Sequence, residues 1–169
     1  MAEKISKNAI GQLYEKYRDS LMVIACSYTH NRQDAEDLVQ AAFLKASLSY
    51  EPRGSFLYWC NKVMRNEFYN SVKKAEMMAD EPIDTMALRS QDDLLLTYIH
   101  NEERAKLATM ISMLPLKYRE VMMDSVYLQL TDSEIAKERG TTDTNVRQIR
   151  SRAKKMLIKM REDEDEGYR

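Results

Sequence analysis

The chain has 169 residues and a formal net charge of −1, which leaves room for one domain or two small ones and no core deep enough for a ligand cavity. Four glycines and three prolines stand against abundant Ala, Leu, Met, Lys and Glu, a composition that excludes a β-rich or disordered chain and predicts helices. No apolar run approaches the roughly 18 residues of a membrane span, and the opening MAEKISKNAI is no signal peptide, so a cytoplasmic protein without membrane insertion is expected.

Taken in order, residues 7–29 carry Ile10, Leu13, Tyr14, Tyr17, Leu21, Ile24 and Tyr28 at helical spacing, a long stripe that predicts one packed helix. A second helix begins at Asp34. Ala35, Leu38, Val39, Ala42, Phe43 and Ala46 form its buried face, and Glu36, Asp37, Gln40 and Lys45 lie opposite, with Leu44 at the margin. Asp34, Glu36 and Asp37 fall in the first turn, where the helix dipole favours negative charge. Pro52 and Gly54 place a loop at Ser47–Gly54.

A third helix, Ser55 to Lys74, buries Phe56, Trp59, Cys60, Val63 and Met64, continued by Phe68 and Val72. Its other face presents Tyr58, Asn61, Lys62, Arg65, Asn66, Tyr69, Asn70 and Lys73. Cations there suit phosphates, while tyrosines and amides can stack on or bond to unpaired bases. On a single helix, a solvated polar face reads the same way.

Periodicity lapses over Ala75–Gln91, an acidic stretch containing Pro82 that reads as a linker, with a short helical piece near Met86–Arg89. A helix is expected from Asp92 to Leu114, burying Ile99, Leu107, Met110, Ile111 and Leu114, and Pro115 stops it. Leu114–Thr131 predicts another, with Tyr118, Val121, Met122 and Ser125 inward. Thr131 and Glu134 then spell a capping box. Ile135 and Ala136 face the core, and Gly140 ends the helix where a left-handed residue is wanted.

The last helix starts near Thr142 and buries Val146, Ile149, Ala153, Leu157 and Met160. The series Ala136, Gly140, Val146, Ile149 has the spacing of a helix-turn-helix: a small residue for close crossing, a glycine for the turn, two aliphatics to lock the second helix. That helix exposes Thr144, Asn145, Arg147, Gln148, Ser151, Arg152, Lys154 and Lys155. Its early positions would reach base edges and its later cations phosphate, so Arg147 and Gln148 are the base-reading candidates. The acidic tail, residues 162–169, is expected to fray.

Charge follows the same division. Residues 1–74 carry 11 Lys/Arg against 8 Asp/Glu, residues 75–114 carry 3 against 8, and residues 115–161 carry 11 against 6. Two basic blocks around an acidic one predict two nucleic-acid-facing modules joined by a segment that avoids DNA. Cys26 and Cys60 fall on apolar stripes, and His30 and His100 lack ligand spacing. With no phosphate loop and no nucleophile elbow, the expectation is no catalytic residue, no metal, no cofactor and no small-molecule substrate. The chain reads as a non-enzyme.

The ordered blocks DAEDLVQAAFLKA (Asp34–Ala46), GSFLYW (Gly54–Trp59) and Arg65-Asn66 resemble the second conserved region of bacterial sigma factors of the sigma-70 family, nearest the extracytoplasmic-function (ECF) type. LPLKYREVMM, LTDSEIAKERG and TTDTNVRQIRSRAKKML, within Leu114–Met160, resemble the fourth region. The resemblance implies an all-α chain of two helical domains. Residues 1–74 would be a region 2-like domain, 75–92 a flexible acidic linker, 93–161 a region 4-like helix-turn-helix domain, and 162–169 an acidic tail.

It implies a protein that binds core RNA polymerase and promoter DNA, opens the DNA, and in many relatives is held off by an anti-sigma protein. Glu36, Asp37, Gln40 and Leu44 would then meet polymerase. Arg53, Tyr58, Lys62, Arg65, Asn66, Tyr69 and Lys73 would meet the minus-ten element, and the exposed face of the last helix the minus-thirty-five element. In the family the linker runs through polymerase channels otherwise used by nucleic acid, and its acidity fits such mimicry and a plain solvated linker equally. Ala41 stands where the family is usually acidic, Asn70 where it commonly has Asp, and Thr141 where it usually has an aliphatic, which predicts a looser turn. The alternative is a helix-turn-helix regulator that acts without stoichiometric polymerase.

Overall fold

The computed structural model describes residues 5–78, 95 and 97–168. Among them are seven helices and no strand: α1 Lys7–Thr29, α2 Arg32–Ser49, α3 Phe56–Met78, α4 Glu102–Ser112, α5 Leu116–Val126, α6 Asp132–Arg139 and α7 Asp143–Gly167. The chain divides into two compact units, Met1–His100 and Asn101–Arg169. The short helical piece expected near Met86–Arg89 lies outside the described residues.

In the N-terminal unit α1, α2 and α3 pack on one another as three helices. Ser6 caps α1, its hydroxyl accepting from the Ala9 amide at 3.2 Å. Every residue from Leu21 to Tyr28 is buried, so the second half of α1 is enclosed on all sides rather than along the stripe expected of it. Helix α2 begins at Arg32, two residues before the acidic run. The signal passed over is Asn31, whose side chain accepts from the Asp34 amide at 3.0 Å. Its buried face is the six residues read from the sequence.

Phe56 sits where α1, α2 and the loop into α3 converge, with ring centroids 5.8 Å from Tyr17, 5.6 Å from Phe43 and 5.1 Å from Tyr50. Tyr50 also stands edge-on to Trp59 at 5.2 Å and is itself buried. Aromatic pairs in such arrangements add about 0.5–1.5 kcal/mol each beyond the area they bury. The loop is therefore anchored at both ends, at Tyr50 and Phe56, while Glu51, Pro52, Arg53 and Gly54 stay exposed. Gly54 has φ 79°, which a side chain would strain.

The C-terminal unit joins two small clusters. Met110, Ile111, Leu114, Met122, Met123, Ala153 and Leu157 hold α4, α5 and α7 together. Val121, Ile135, Ala136, Val146 and Ile149 hold the helix-turn-helix, and Tyr118 packs against both groups. The capping box is present: the Glu134 amide donates to Thr131 Oγ1 at 3.2 Å and the Thr131 amide donates to Glu134 Oε2 at 2.8 Å. Gly140 has φ 61° and Thr142 caps α7 through the Asn145 amide.

Three boundaries in the second half of the chain differ from the sequence reading. Residues 92–94 and 96 of the helix expected from Asp92 lie outside the described residues; the Tyr98 and Ile99 amides return to the Leu95 carbonyl within the N-terminal unit, and α4 runs from Glu102, capped by Asn101. Its buried face uses Ala105, Ala108 and Thr109 where Ile99 and Leu107 were expected; small residues let α4 approach its neighbours, and Leu107 is left 40% exposed. Helix α5 stops at Val126 rather than Thr131, because Gln129 turns left-handed at φ 54° and the Leu130 amide folds back to the Asp124 carbonyl. The acidic tail does not fray: α7 continues to Gly167, with Lys106 Nζ 2.9 Å from Glu164 Oε2.

A non-glycine residue in the left-handed region costs about 1 kcal/mol. Gln129→Gly should therefore raise the free energy of unfolding of the C-terminal unit by about 0.5–1 kcal/mol, read from urea titration of the full chain. No gain would mean that the Gln129 side chain offsets its own backbone strain.

Candidate nucleic-acid interface

On α3 the residues Lys62, Arg65, Asn66, Tyr69 and Lys73 follow helical spacing along one side, opposite buried Cys60, Val63 and Met64. Lys62, Asn66 and Lys73 are exposed, whereas Arg65, Tyr58 and Tyr69 are half-buried. Arg53 stands on the preceding loop with 83% of its side chain exposed, 3.6 Å from Glu51. Asn61 does not belong to this face. It is 1% exposed, and its Oδ1 accepts from the Tyr28 hydroxyl at 2.8 Å, so a buried amide sits between the two helices. Tyr28 also stacks on Phe68 at 5.6 Å, so α1 fixes the rotation of α3 through both contacts.

On α2, Asp37, Gln40 and Leu44 are exposed along one ridge, Leu44 at 65%. Glu36 is half-buried and takes the Arg32 guanidinium at 3.1 Å. Beside this ridge runs a groove of about 490 Å³ between α2 and α3, with Leu38, Ala41, Phe68 and Val72 for its floor and Asp34, Asp37 and Glu67 at its lip. Leu48, also 65% exposed, extends the ridge by one turn beyond the residues read from the sequence.

The geometry of α7 is the more regular. Val146, Ile149, Ala153 and Leu157 are buried, and Thr144, Arg147, Gln148, Ser151, Arg152, Lys154 and Lys155 are all exposed. Asn145 is half-buried, because its Nδ2 donates to Thr141 Oγ1 at 2.8 Å. The Thr141 amide reaches the Ala136 carbonyl at 2.9 Å. The Thr141 side chain thus adds a hydrogen bond at the turn where an aliphatic could only pack.

Sequence reasoning missed the ionic frame behind this helix. Arg139, the last residue of α6, sends Nη1 to Glu120 Oε2 at 2.7 Å and Nη2 to Asp124 Oδ2 at 2.6 Å. Only 19% of the Arg139 side chain and 5% of the Asp124 side chain is exposed. Burial works against the arginine charge, but the carboxylates of Asp124 and Glu120 outweigh it and hold the guanidinium above its ordinary range. At the other end of α6, Asp132 holds Arg150 of α7 at 2.7 Å, and Ser133 donates to Asp143 at 2.9 Å. A signal was there to read: Glu120 and Asp124 lie one turn apart on α5, on the side that carries buried Val121.

Cys26 and Cys60 are fully buried, and burial pushes both thiols up to about 12. Among the described residues no group of three or more His, Cys, Asp or Glu could hold a metal ion, and no helix is long and apolar enough to cross a membrane.

An exposed basic-aromatic helix in one unit and a helix-turn-helix with its recognition face free in the other define a two-module DNA-binding protein. A family model described as sigma-70 region 2 matches residues 13–77, and another described as sigma-70, region 4 matches residues 104–157. The RNA polymerase sigma factor SigV of Bacillus subtilis (strain 168) is 26% identical over 140 residues, which cover 79% of this chain and 80% of that protein. The sigma factor RpoE of Bartonella quintana, solved with the anti-sigma factor NepR, shares the fold at a TM-score of 0.64 and 22% identity, over 90% of this chain and 96% of that one. The chain belongs to the sigma-70 family of RNA polymerase sigma factors, as one of its ECF-type members.

Removing one member of a buried ion pair leaves an uncompensated charge and costs about 3–5 kcal/mol, whereas an apolar pair of similar volume is often neutral. Arg139→Leu should thus destabilise the C-terminal unit by about 3 kcal/mol, and adding Asp124→Leu should recover most of the loss in thermal unfolding. Equal losses in the single and double variants would refute the pairing as the cause. Both thiols stay protonated in the folded chain until the pH nears 12, whereas unfolded thiols ionise near 9. Burial of the neutral thiols therefore stabilises the fold fully below about pH 9 and less and less as the pH climbs toward 12. A thiol reagent at pH 8 should label neither cysteine until denaturant is added.

Proposed function

We propose that this sigma factor divides promoter recognition between its two units after docking on core RNA polymerase through α2. Glu36, Asp37, Gln40 and Leu44 form the polymerase ridge. The loop around Arg53 and the α3 face of Tyr58, Lys62, Arg65, Asn66, Tyr69 and Lys73 take the minus-ten element and hold it open. Melting needs no covalent chemistry: an unpaired base stacked on an aromatic side chain gains roughly 1–3 kcal/mol, which offsets part of the opening cost. Lys62 and Lys73 lie on the same face as half-buried Tyr69, so phosphate neutralisation and base stacking are available side by side. Sigma factors are non-enzymatic, and we extend that to this chain, which acts in the cytoplasm on a borrowed polymerase.

The observation that carries the reading is α7. Helix α6, the left-handed Gly140 and the Thr142 cap leave its first turns exposed, with Arg147 and Gln148 adjacent near the helix start where base edges are reached. Arg152, Lys154 and Lys155 follow further along the same helix and suit the phosphate backbone. Arg139 and Arg150 are held internally and take no part in reading bases. An anti-sigma partner is proposed from the family alone. A regulator acting without polymerase is not favoured, because it gives no account of a region 2 match over residues 13–77.

Holoenzyme assembled from the purified chain and core polymerase should start transcription selectively from a pool of randomised promoters. Failure to change start-site choice would sink the reading. Arg147→Ala or Gln148→Ala should cost about 1–3 kcal/mol at a single base pair of the selected upstream element, while Lys154→Ala should weaken every sequence alike and flatten the salt dependence. A uniform loss from Arg147→Ala would remove that residue from base readout.

A further inference from the structure

Tyr28 has no place in the division of labour above. It is buried in the last turn of α1, a helix whose end is firmly held. The His30 amide closes that turn on the Cys26 carbonyl at 2.9 Å, and Asn31 immediately caps α2. From this fixed mounting Tyr28 holds α3 by two handles. Its hydroxyl donates to Asn61 Oδ1 at 2.8 Å, and its ring stacks on Phe68 at 5.6 Å and 29°. Asn61 and Phe68 are seven residues apart, two turns along one side of α3, or about 10 Å.

The side chains assigned to the minus-ten element stand on the other side of the same helix. Phe56 fixes where α3 begins, but that face comes later, from Tyr58 to Lys73. Tyr69 is half-buried at its edge, with its ring 5.8 Å from Phe68 and tilted by 56°. A side-chain atom on a helix stands about 5–6 Å from the axis, so a roll of about 20° carries it about 2 Å. Such a shift breaks a hydrogen bond and takes a ring off a stacked base. A purely apolar contact between α1 and α3 would allow the roll at little cost, since hydrophobic burial has no direction. A hydrogen bond to a buried amide does not allow it.

We propose that Tyr28 is a positioning residue for strand capture: through Asn61 and Phe68 it sets the roll of α3 that presents the Tyr69 ring to an unpaired minus-ten base. The proposal rests on the minus-ten reading of α3 and adds to it a residue of α1 that touches no DNA. For stability alone the buried polar pair is dispensable, because replacing both partners by apolar groups of the same shape is nearly neutral. Direction is what such a replacement gives up.

The test compares wild-type holoenzyme with holoenzyme carrying Tyr28→Phe together with Asn61→Leu, which exchanges the polar pair for an apolar one of similar shape. The probe is a single-stranded oligonucleotide bearing the minus-ten sequence that wild-type holoenzyme selects from randomised promoters. The double variant should keep the wild-type thermal midpoint, and it should bind core polymerase and an upstream-element duplex as the wild type does. Its affinity for the single strand should fall roughly tenfold, the scale of one lost base–aromatic stack. In a Tyr69→Ala background the same two substitutions should add less than about a twofold loss, because the ring they misplace is already gone. If the double variant loses helical content, Tyr28→Phe alone, which keeps the stack on Phe68, carries the same comparison.

Undiminished capture by a folded variant would overturn the positioning role and leave the reading of α3 standing. So would an undiminished loss on top of that from Tyr69→Ala, since Tyr28 would then act elsewhere. Wild-type holoenzyme that ignores the single strand, or that loses nothing with Tyr69→Ala, would overturn the reading of α3 itself and the proposal with it.

Discussion

The N-terminal unit depends on the seating of Phe56 among Tyr17, Phe43 and Tyr50. A three-helix body of this size has little apolar area to orient its parts, and hydrophobic burial alone has no direction. Aromatic rings supply direction, since edge and tilted contacts are specific to angle as well as distance. One ring therefore fixes the end of α2, the start of α3 and the loop between them. That segment is packed at its ends and exposed in its middle. The Tyr28–Asn61 hydrogen bond and the Tyr28–Phe68 stack then set the roll of α3.

The C-terminal unit solves the same problem with charge. Helix α6 has eight residues and only Ile135 and Ala136 buried, too few contacts to fix an angle. Arg139 ties one end to α5 and Asp132 ties the other to α7, and the planar guanidinium fork matches two carboxylates one turn apart. Surface pairs such as Lys106–Glu164 are solvated and screened and contribute little, so the distinction between the two kinds of pair lies in burial rather than distance. The recognition helix starts four residues after Arg139, so the frame sets where it begins.

Much of this was legible in the sequence, and the reasons differ from element to element. The six buried residues of α2, the Thr131–Glu134 box, the left-handed Gly140 and the stripe of α7 each follow a local rule of period or capping, and each stands where it was read. Asn61 was misplaced because periodicity sorts residues by polarity, and a buried amide needs a partner from another helix to be recognised. The early stop of α5 was missed because Gln129 gives no sign of a left-handed backbone as glycine would. The Arg139 fork was invisible for the same reason as Asn61: its partners are distant in sequence and carry no motif. The candidate faces of α3 and α7 were legible as largely exposed surfaces, although Tyr58, Arg65 and Tyr69 are half-buried and the Asn145 amide turns inward to Thr141.

Helix α7 is one unbroken rod of 25 residues, about 37 Å long. Its first three-quarters carry seven Lys and Arg residues, and Glu162 to Glu166 follow without interruption. The potential along a single rigid body thus reverses sign between its ends, and no bend relieves the reversal. Polyanionic DNA is drawn to the leading end and pushed from the trailing end, so the rod has a built-in direction of approach before any base is read.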